Sequence, residues 1–324
     1  MASKRAILVF TGGYSGEAVI SRKSAQMVMD HIDRERFDPT LVHIEPSGWY
    51  IDANGTKTPT SLELLLASHA FIGAFIMVHG TPGEDGILQA ELQAAGVKCT
   101  TGDEQAMALT FHKGHTSNHL RNRGIRVARS IQLLPGDTWD NEAITEDLGL
   151  PCFVKPNETG SSIGIHKVNR IADLDTAIQD AMQIGGKTGV IIEAMLRGRE
   201  FTSGVIPDEQ GNPLALPITE IKTHREFFDY AAKYNGESDE ITPAEISDEL
   251  RDRLQAVAVS VYRATNMRGM ARVDMMAEED GEPHVIEINT VPGFSEASII
   301  PKQAAAVGIS KQELISQIID HTLL

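Results

Sequence analysis

Ala271-Arg272-Val273-Asp274-Met275-Met276 and Val285-Ile286-Glu287-Ile288-Asn289 flank an acidic bend, Glu278-Glu279-Asp280-Gly281-Glu282. Both flanks alternate in polarity, and Asp-Gly between two alternating runs is a strong hairpin signal. A turn at Asp280-Gly281 sets Asp274 opposite Glu287 and Arg272 opposite Asn289, with all four side chains on one face. Val273, Met275, Ile286 and Ile288 then form the other face, an apolar set suited to a core. Facing carboxylates repel unless a cation lies between them. Two carboxylates and an amide suit magnesium, a hard ion that completes its octahedron with waters and phosphate oxygens. A solvated hairpin with an accidental acidic pair fits the same letters equally well, because a one-residue change in the turn undoes the pairing.

Upstream, Phe153-Val154-Lys155-Pro156-Asn157-Glu158-Thr159-Gly160-Ser161-Ser162-Ile163-Gly164 reads as a strand that delivers a lysine into a small-residue loop. Bare N–H groups in such a loop can wrap phosphate oxygens, and the ammonium adds a point charge. A plain hairpin loop is the competing reading. Gly186-Lys187-Thr188 imitates a P-loop but lacks the required glycine, because Ala181 stands in its place.

At the amino terminus, strand-like Ala6 to Phe10 runs into Gly12-Gly13-Tyr14-Ser15-Gly16-Glu17, then a helix-like segment to Ile32, then alternating Thr40 to Ile44. A second such unit is the apolar run Ala70 to Val78, the loop His79 to Asp85, and a helix from Gly86 to Ala95. Parallel strands joined by helices place their loops at strand carboxyl ends, where open α/β sheets bind ligands. Further on, the pattern is helical from Asp103 to about Asn122, with strands at Ile125 to Ile131 and Cys152 to Lys155 and a helix from Ala244 to Thr265. The polar stretch Thr223 to Thr242 exceeds ordinary loop length and points to a lid or a disordered insert.

The 324 residues carry 29 Lys+Arg against 45 Asp+Glu, a formal charge of −16. That balance argues against nucleic acid and anionic membranes as partners. Hydrophobic residues at 41% and charged residues at 23% fit a globular chain of two or three packed units. Its longest apolar run, Ala70 to Val78, is far short of the ~20 residues that span a bilayer. Cys99 and Cys152 are too few for a disulfide framework or thiolate cage, and buried thiols in a reducing compartment are the expectation.

Taken together, GGYSGE at 12–17, HGTPGEDGILQ at 79–89, FVKPNETGSSIG at 153–164, EAMLRGREFT at 193–202, FFDYAAKY at 227–234, and RGMARVDMM with IEINTVPGFSEASIIP at 268–301 resemble, in family order, the D-alanine:D-alanine ligases of the ATP-grasp superfamily. The resemblance implies a three-domain α/β and α+β chain with an ATP-grasp fold. A parallel α/β domain would cover 1–103, a central domain 104–192, and a catalytic domain 193–324 with a lid at 223–242, ATP lying between the latter two. It implies that Lys113, Lys155, Ser161, Ser162, Glu193, Ala194, Leu196 and Glu200 bind ATP. Asp274, Glu287 and Asn289 would hold two magnesium ions, or manganese.

The implied chemistry joins two D-alanines through an acyl phosphate. Glu17 would meet the first ammonium group, His79 and Lys233 would lie about the substrate, Ser298 would hold the second carboxylate, and Ser161 and Tyr234 would link to Glu17. Arg272 and the Gly293 N–H would meet the oxyanion. A homodimer in a bacterial cytoplasm, supplying peptidoglycan precursor, completes the expectation, with D-serine or D-lactate as the alternative second substrate. His112, Ser117, Phe228 and Ala297 depart from the usual pattern, where aspartate, lysine, tyrosine and histidine are common. Tyr234 is the aromatic expected of dipeptide formers.

Overall fold

Ile7, Leu8, Val9 and Phe10 are fully buried in β1 (Arg5–Gly12), as an apolar run should be when a strand is covered on both faces. The computed structural model describes residues 4–53, 56–160, 162–223, 238–277 and 281–324. β1 lies between β2 (Phe37–Glu45) and β5 (Phe71–Ile76), parallel to both. Beyond β2, an antiparallel extension of β3 (Gly48–Ala53) and β4 (Thr56–Thr60) completes a five-stranded mixed sheet. The expected parallel unit is therefore the centre of this sheet rather than the whole. Helices α1 (Ala18–His31), α2 (Leu62–Ser68) and α3 (Ile87–Ala94) connect or follow its strands.

The helix expected from Asp103 to Asn122 is two, α4 (Glu104–Phe111) and α5 (Lys113–Arg121). His112 interrupts them: its ψ of 104° is extended, and its side chain accepts the His115 N–H as the cap of α5. A second sheet, antiparallel throughout, has the order β6-β9-β7-β8, with β6 (Ser130–Leu133), β7 (Cys152–Pro156), β8 (His166–Val168) and β9 (Val190–Ala194). The strand expected at Ile125 to Ile131 thus begins later, and Val127 makes only an isolated bridge to Val285. α6 (Asn141–Leu148) and α7 (Leu174–Gly185) cover this sheet. α7 buries Leu174, Ala177, Ile178 and Ala181, the spacing of one helical face. The expected division between residues 192 and 193 falls inside β9.

The third sheet runs β13-β12-β10-β14-β15, with β11 (Pro213–Ala215) also paired to β10 (Arg199–Pro207). Its other strands are β12 (Thr219–Thr223), β13 (Ser238–Ile241), β14 (Ala271–Ala277) and β15 (His284–Asn289). β12 and β13 pair from both ends of the polar stretch, so Thr223 and Ser238 to Ile241 belong to the sheet. The remainder of the expected lid, 224–237, lies outside the described residues. α8 (Asp248–Ala264), α9 (Ile299–Ala306) and α10 (Lys311–Thr322) pack around this sheet. α10 opens with a capping box between Ser310 and Glu313.

Two apolar cores result. One is continuous from β1, β2 and β5 through β10, β14 and α10; the other, around Cys152, Val154, Ile178 and Ile192, belongs to the second sheet. Both cysteines are free; Cys152 is buried and Cys99 half-buried.

Gly12 closes β1 at a φ of +95°, and a Cβ there would lie 2.2 Å from the Ile44 carbonyl oxygen. Gly12→Ala is therefore expected to lose at least about 1 kcal/mol of stability, because the native backbone suits glycine alone. A lowered urea midpoint checks this, and an unchanged one contradicts it.

Candidate functional site

β14 and β15 pair with Arg272 opposite Asn289 and Asp274 opposite Glu287, the register expected from the sequence. The register slips between Asp274 and Met275, where Met275 faces Val285 and Met276 faces His284. Ile286 is the extra residue of a bulge and stays half-buried, while Val285 takes the inward place expected for Ile286. The inward set is thus Val273, Met275, Val285 and Ile288. Asp280 of the expected turn lies outside the described residues. The bulge leaves the acidic pair untouched because it falls on the turn side of it.

Asp274 is 7% exposed and has four hydrogen-bond donors. Arg272 donates Nε to Oδ1 at 2.8 Å and Nη2 to Oδ2 at 2.7 Å. The Asn289 amide donates to Oδ2 at 2.9 Å, and Thr202 on β10, directly opposite Asp274, donates its hydroxyl to Oδ1 at 2.5 Å. Burial opposes the Arg272 charge, but Asp274 and then Glu287 outweigh it and hold the guanidinium above its ordinary pKa. Asp274, Glu287 and Asn289 therefore gather oxygen donors on one face, a set whose chemistry fits a hard divalent cation. Among the described residues no three His, Cys, Asp or Glu side chains form a metal cluster, and here the third donor is an amide.

Lys155 on β7 and Glu193 on β9 form an ion pair of 2.6 Å, both side chains largely buried. Burial works against the Lys155 charge, yet Glu193, Glu287 and Glu200 raise its pKa above the ordinary lysine value. The influence of Glu287 and Glu200 brings the second and third sheets into one electrostatic site. Glu200 lies on β10 opposite Met276. Ala194 ends β9 with its N–H donated to the Arg129 carbonyl, and Leu196 follows half-buried.

Lys113 begins α5, its ammonium donating to the Thr159 carbonyl at 2.5 Å and its N–H to the Asn157 carbonyl at 3.0 Å. Fully buried Asn157 also accepts the Gly114 N–H and donates to the Thr188 carbonyl. It pins α5 to the small-residue loop, a role that sequence reasoning missed, although an asparagine after Lys155-Pro156 was its visible signal. Ser162 sits in this loop at a φ of +58°. Ser161, Lys233 and Tyr234 lie outside the described residues, as does Phe228.

Glu17 stands at the start of α1, and the loops after β5 and β7 reach it: a Cβ on Gly160 would lie 2.7 Å from its Oε2, and one on Gly80 3.8 Å. His79 is 6% exposed, with its Nε2 3.2 Å from the Ser24 hydroxyl. Burial pushes its ring down to about 4, against a hydrogen bond to the Val291 backbone, and Arg272 adds to the fall. Glu84, which sequence reasoning did not single out, lies on the crevice floor and accepts N–H groups from Gly80 at 2.7 Å and Val291 at 3.2 Å. Burial, then Glu17, pushes its carboxyl up to about 8. Ser298 stands at the N-cap position of α9 without capping it by its side chain; its Oγ instead accepts the Ser295 N–H at 2.9 Å and lies 3.2 Å from where a Gly293 Cβ would be.

The departures are mostly accommodated. The His112 ring stacks on His115 at 3.6 Å, and burial, then His115, pushes it down to about 4. Buried Ser117 accepts a hydrogen bond from Arg121, and Ala297 is exposed.

A family model described as D-ala D-ala ligase C-terminus matches residues 120–320. A Flavobacterium johnsoniae protein named D-alanine--D-alanine ligase is 40% identical, over 98% of this chain and 99% of its own. The solved VanG D-Ala:D-Ser ligase from Enterococcus faecalis is similar with a TM-score of 0.86 at 29% identity, covering 98% of this chain and 99% of its own. The Bacillus anthracis D-alanine--D-alanine ligase complexed with ATP is similar with a TM-score of 0.81 at 26% identity, covering 98% and 97%.

Glu84 in the folded protein keeps a proton between its ordinary 4.5 and about 8 that the unfolded chain has released, so its contribution to stability falls as pH rises through that window. His79 and His112 do the reverse. Each stays neutral down to about 4, whereas the unfolded chain takes up protons from 6.5, so stability falls as pH drops between those values. Glu84→Gln is expected to flatten the alkaline slope of unfolding free energy, between 6.5 and about 8, and to steepen the acid slope between 4.5 and 6.5, where Glu84 offsets the two histidines. Denaturant unfolding across pH checks this, and an unaltered alkaline slope contradicts it.

Proposed function

The chain belongs to the D-alanine–D-alanine ligase family, and on that premise we propose that it joins two D-alanines at the expense of ATP, releasing ADP and phosphate, to make a peptidoglycan precursor. The observation that carries the site assignment is the facing pair Asp274 and Glu287, with Asn289 beside them and Arg272 fixed by Asp274. In this reading residues 1–103 present substrate, and nucleotide is held between 104–192 and 193–324. Glu193, the Ala194 backbone, Leu196 and Glu200 hold adenine and ribose.

A carboxylate is a poor electrophile, because its negative charge repels an incoming amine. Transfer of the ATP γ-phosphoryl group to the first D-alanine removes that obstacle. Lys113, Lys155, Ser161 and Ser162 hold the phosphates, and Lys155 is kept charged by the carboxylates around it. Two magnesium ions, or manganese in their place, would be held by Asp274, Glu287 and Asn289 and would supply positive charge beside the phosphates. Glu17 takes the first ammonium group, supported by Ser161 and Tyr234, while Lys233 assists the phosphorylated substrate.

The second amine then attacks the acyl carbon. Arg272 and the Gly293 N–H meet the oxyanion where charge develops, and Asp274 fixes the plane of the guanidinium beforehand. Ser298 holds the second carboxylate, and phosphate departs as the amide forms. The lid expected at 223–242 keeps water from the acyl phosphate. The protein works as a homodimer in a bacterial cytoplasm.

A second reading, D-serine as the second substrate with D-lactate as a related case, is favoured by the likeness to the VanG enzyme and by Ala297 beside Ser298. Purified protein with ATP, magnesium and each acid alone or paired with D-alanine, followed by phosphate release and product mass, separates the readings. D-alanyl-D-alanine is the expected main product; mixed D-alanyl-D-serine as the main product establishes the second reading, and phosphate release without any condensation product overturns both. Glu287→Gln is expected to keep the fold and lower kcat at least on the order of tenfold, since even outer partners of metal ligands carry that much. Wild-type turnover in that variant would refute the assignment.

A further inference from the structure

The turn Val291-Pro292-Gly293-Phe294 follows β15 and is held almost entirely by side chains from the amino-terminal sheet and its helices. The Val291 N–H donates to Glu84 Oε1 at 3.2 Å, while the other Glu84 oxygen takes the Gly80 N–H at 2.7 Å. The His79 ring hydrogen-bonds the Val291 backbone from the opposite side, and the Phe294 N–H donates to the Ser24 hydroxyl at 3.0 Å. Val291, Phe294 and Ser24 are all buried.

The donors and acceptors close without remainder. A neutral imidazole has one N–H and one acceptor nitrogen. With the ring also bonded to the Val291 backbone, Nε2 pairs with the Ser24 hydroxyl 3.2 Å away, and the Ser24 oxygen accepts the Phe294 N–H. Pro292 has no N–H to give. Among the described residues, Gly293 is therefore left as the one N–H of this turn with no hydrogen-bond partner.

Helix α1 supplies the reference. Glu17 is its N-cap residue, and the helix carries Ser21 and Ser24 on the same face, four and seven residues on from Glu17. The Ser21 hydroxyl accepts the His79 N–H at 3.0 Å, and the Ser15 hydroxyl donates to the His79 carbonyl at 3.1 Å. Backbone and ring of His79 are thus both tied to the segment that presents Glu17. We propose that Ser24, His79 and Glu84 form a positioning clamp that aims the Gly293 N–H at the reacting carbonyl and registers it to the helix that presents Glu17. In this arrangement His79 acts through Val291.

This inference rests on the reading of Gly293 as an oxyanion donor, and it assigns the clamp to amide formation rather than to phosphoryl transfer. Ser24→Ala and Glu84→Gln each remove one strut. In both, positional isotope exchange in ATP with D-alanine, which reports reversible phosphoryl transfer, and the KM for ATP are expected to stay within about threefold of wild type. Dipeptide kcat is expected to fall on the order of tenfold to a hundredfold, as for a reacting group displaced by about an ångström. Exchange and dipeptide formation falling together, or neither falling, overturns the proposal. Should Glu84→Gln fail to fold, Ser24→Ala, which deletes only a hydroxyl, decides it. Absence of dipeptide from the wild-type control would instead sink the proposed function itself.

Discussion

Asp274 and Glu287 face each other across a hairpin, Asp274 buried and Glu287 half-buried, and two like charges set so close constrain everything around them. Asp274 is answered within the protein by Arg272, Asn289 and Thr202, so its position is fixed before anything binds. Glu287 adds a second negative charge to the same face and makes itself felt at Arg272, Lys155 and Glu84. Negative charge gathered on one face is offset where cations stand near it, and Arg272 and Lys155 are both held in their charged form by these carboxylates.

Around that pair the chain brings together loops that are far apart in sequence. The loop after β1 carries Glu17, the loop after β5 carries His79 and Glu84, the loop after β7 reaches Gly160 to Glu17, and the turn after β15 carries Gly293. Glycines at Gly80 and Gly160 matter because a side chain at either would meet the Ser15 hydroxyl or the Glu17 carboxylate.

The sequence made the strands of the amino-terminal unit legible because Ile7 to Phe10 and the run through Ile76 are apolar over their whole length. It also made the acidic pairing legible, because polarity alternates at Arg272, Asp274, Glu287 and Asn289. The bulge at Ile286 was hidden: alternation is a local pattern, while a bulge answers to packing on both faces. The break at His112 was hidden because periodicity continues across it and only the capping geometry interrupts it. Asn157, Thr202, Ser24 and Glu84 were missed for one reason. Their importance lies in partners between 31 and 270 residues away, and spacing along the chain carries no trace of those contacts.

The second sheet keeps an apolar core of its own, yet α5 belongs to both worlds: Leu120 at one end is packed into the larger core, while Lys113 and Gly114 at the other are fastened to Asn157. The two cores are separate, so polar ties such as these, together with α5, link the second sheet to the larger body. Mechanically, α5 is a connecting rod. A pull on Lys113, its first residue, is passed along nine residues of helix into the body that holds the acidic hairpin.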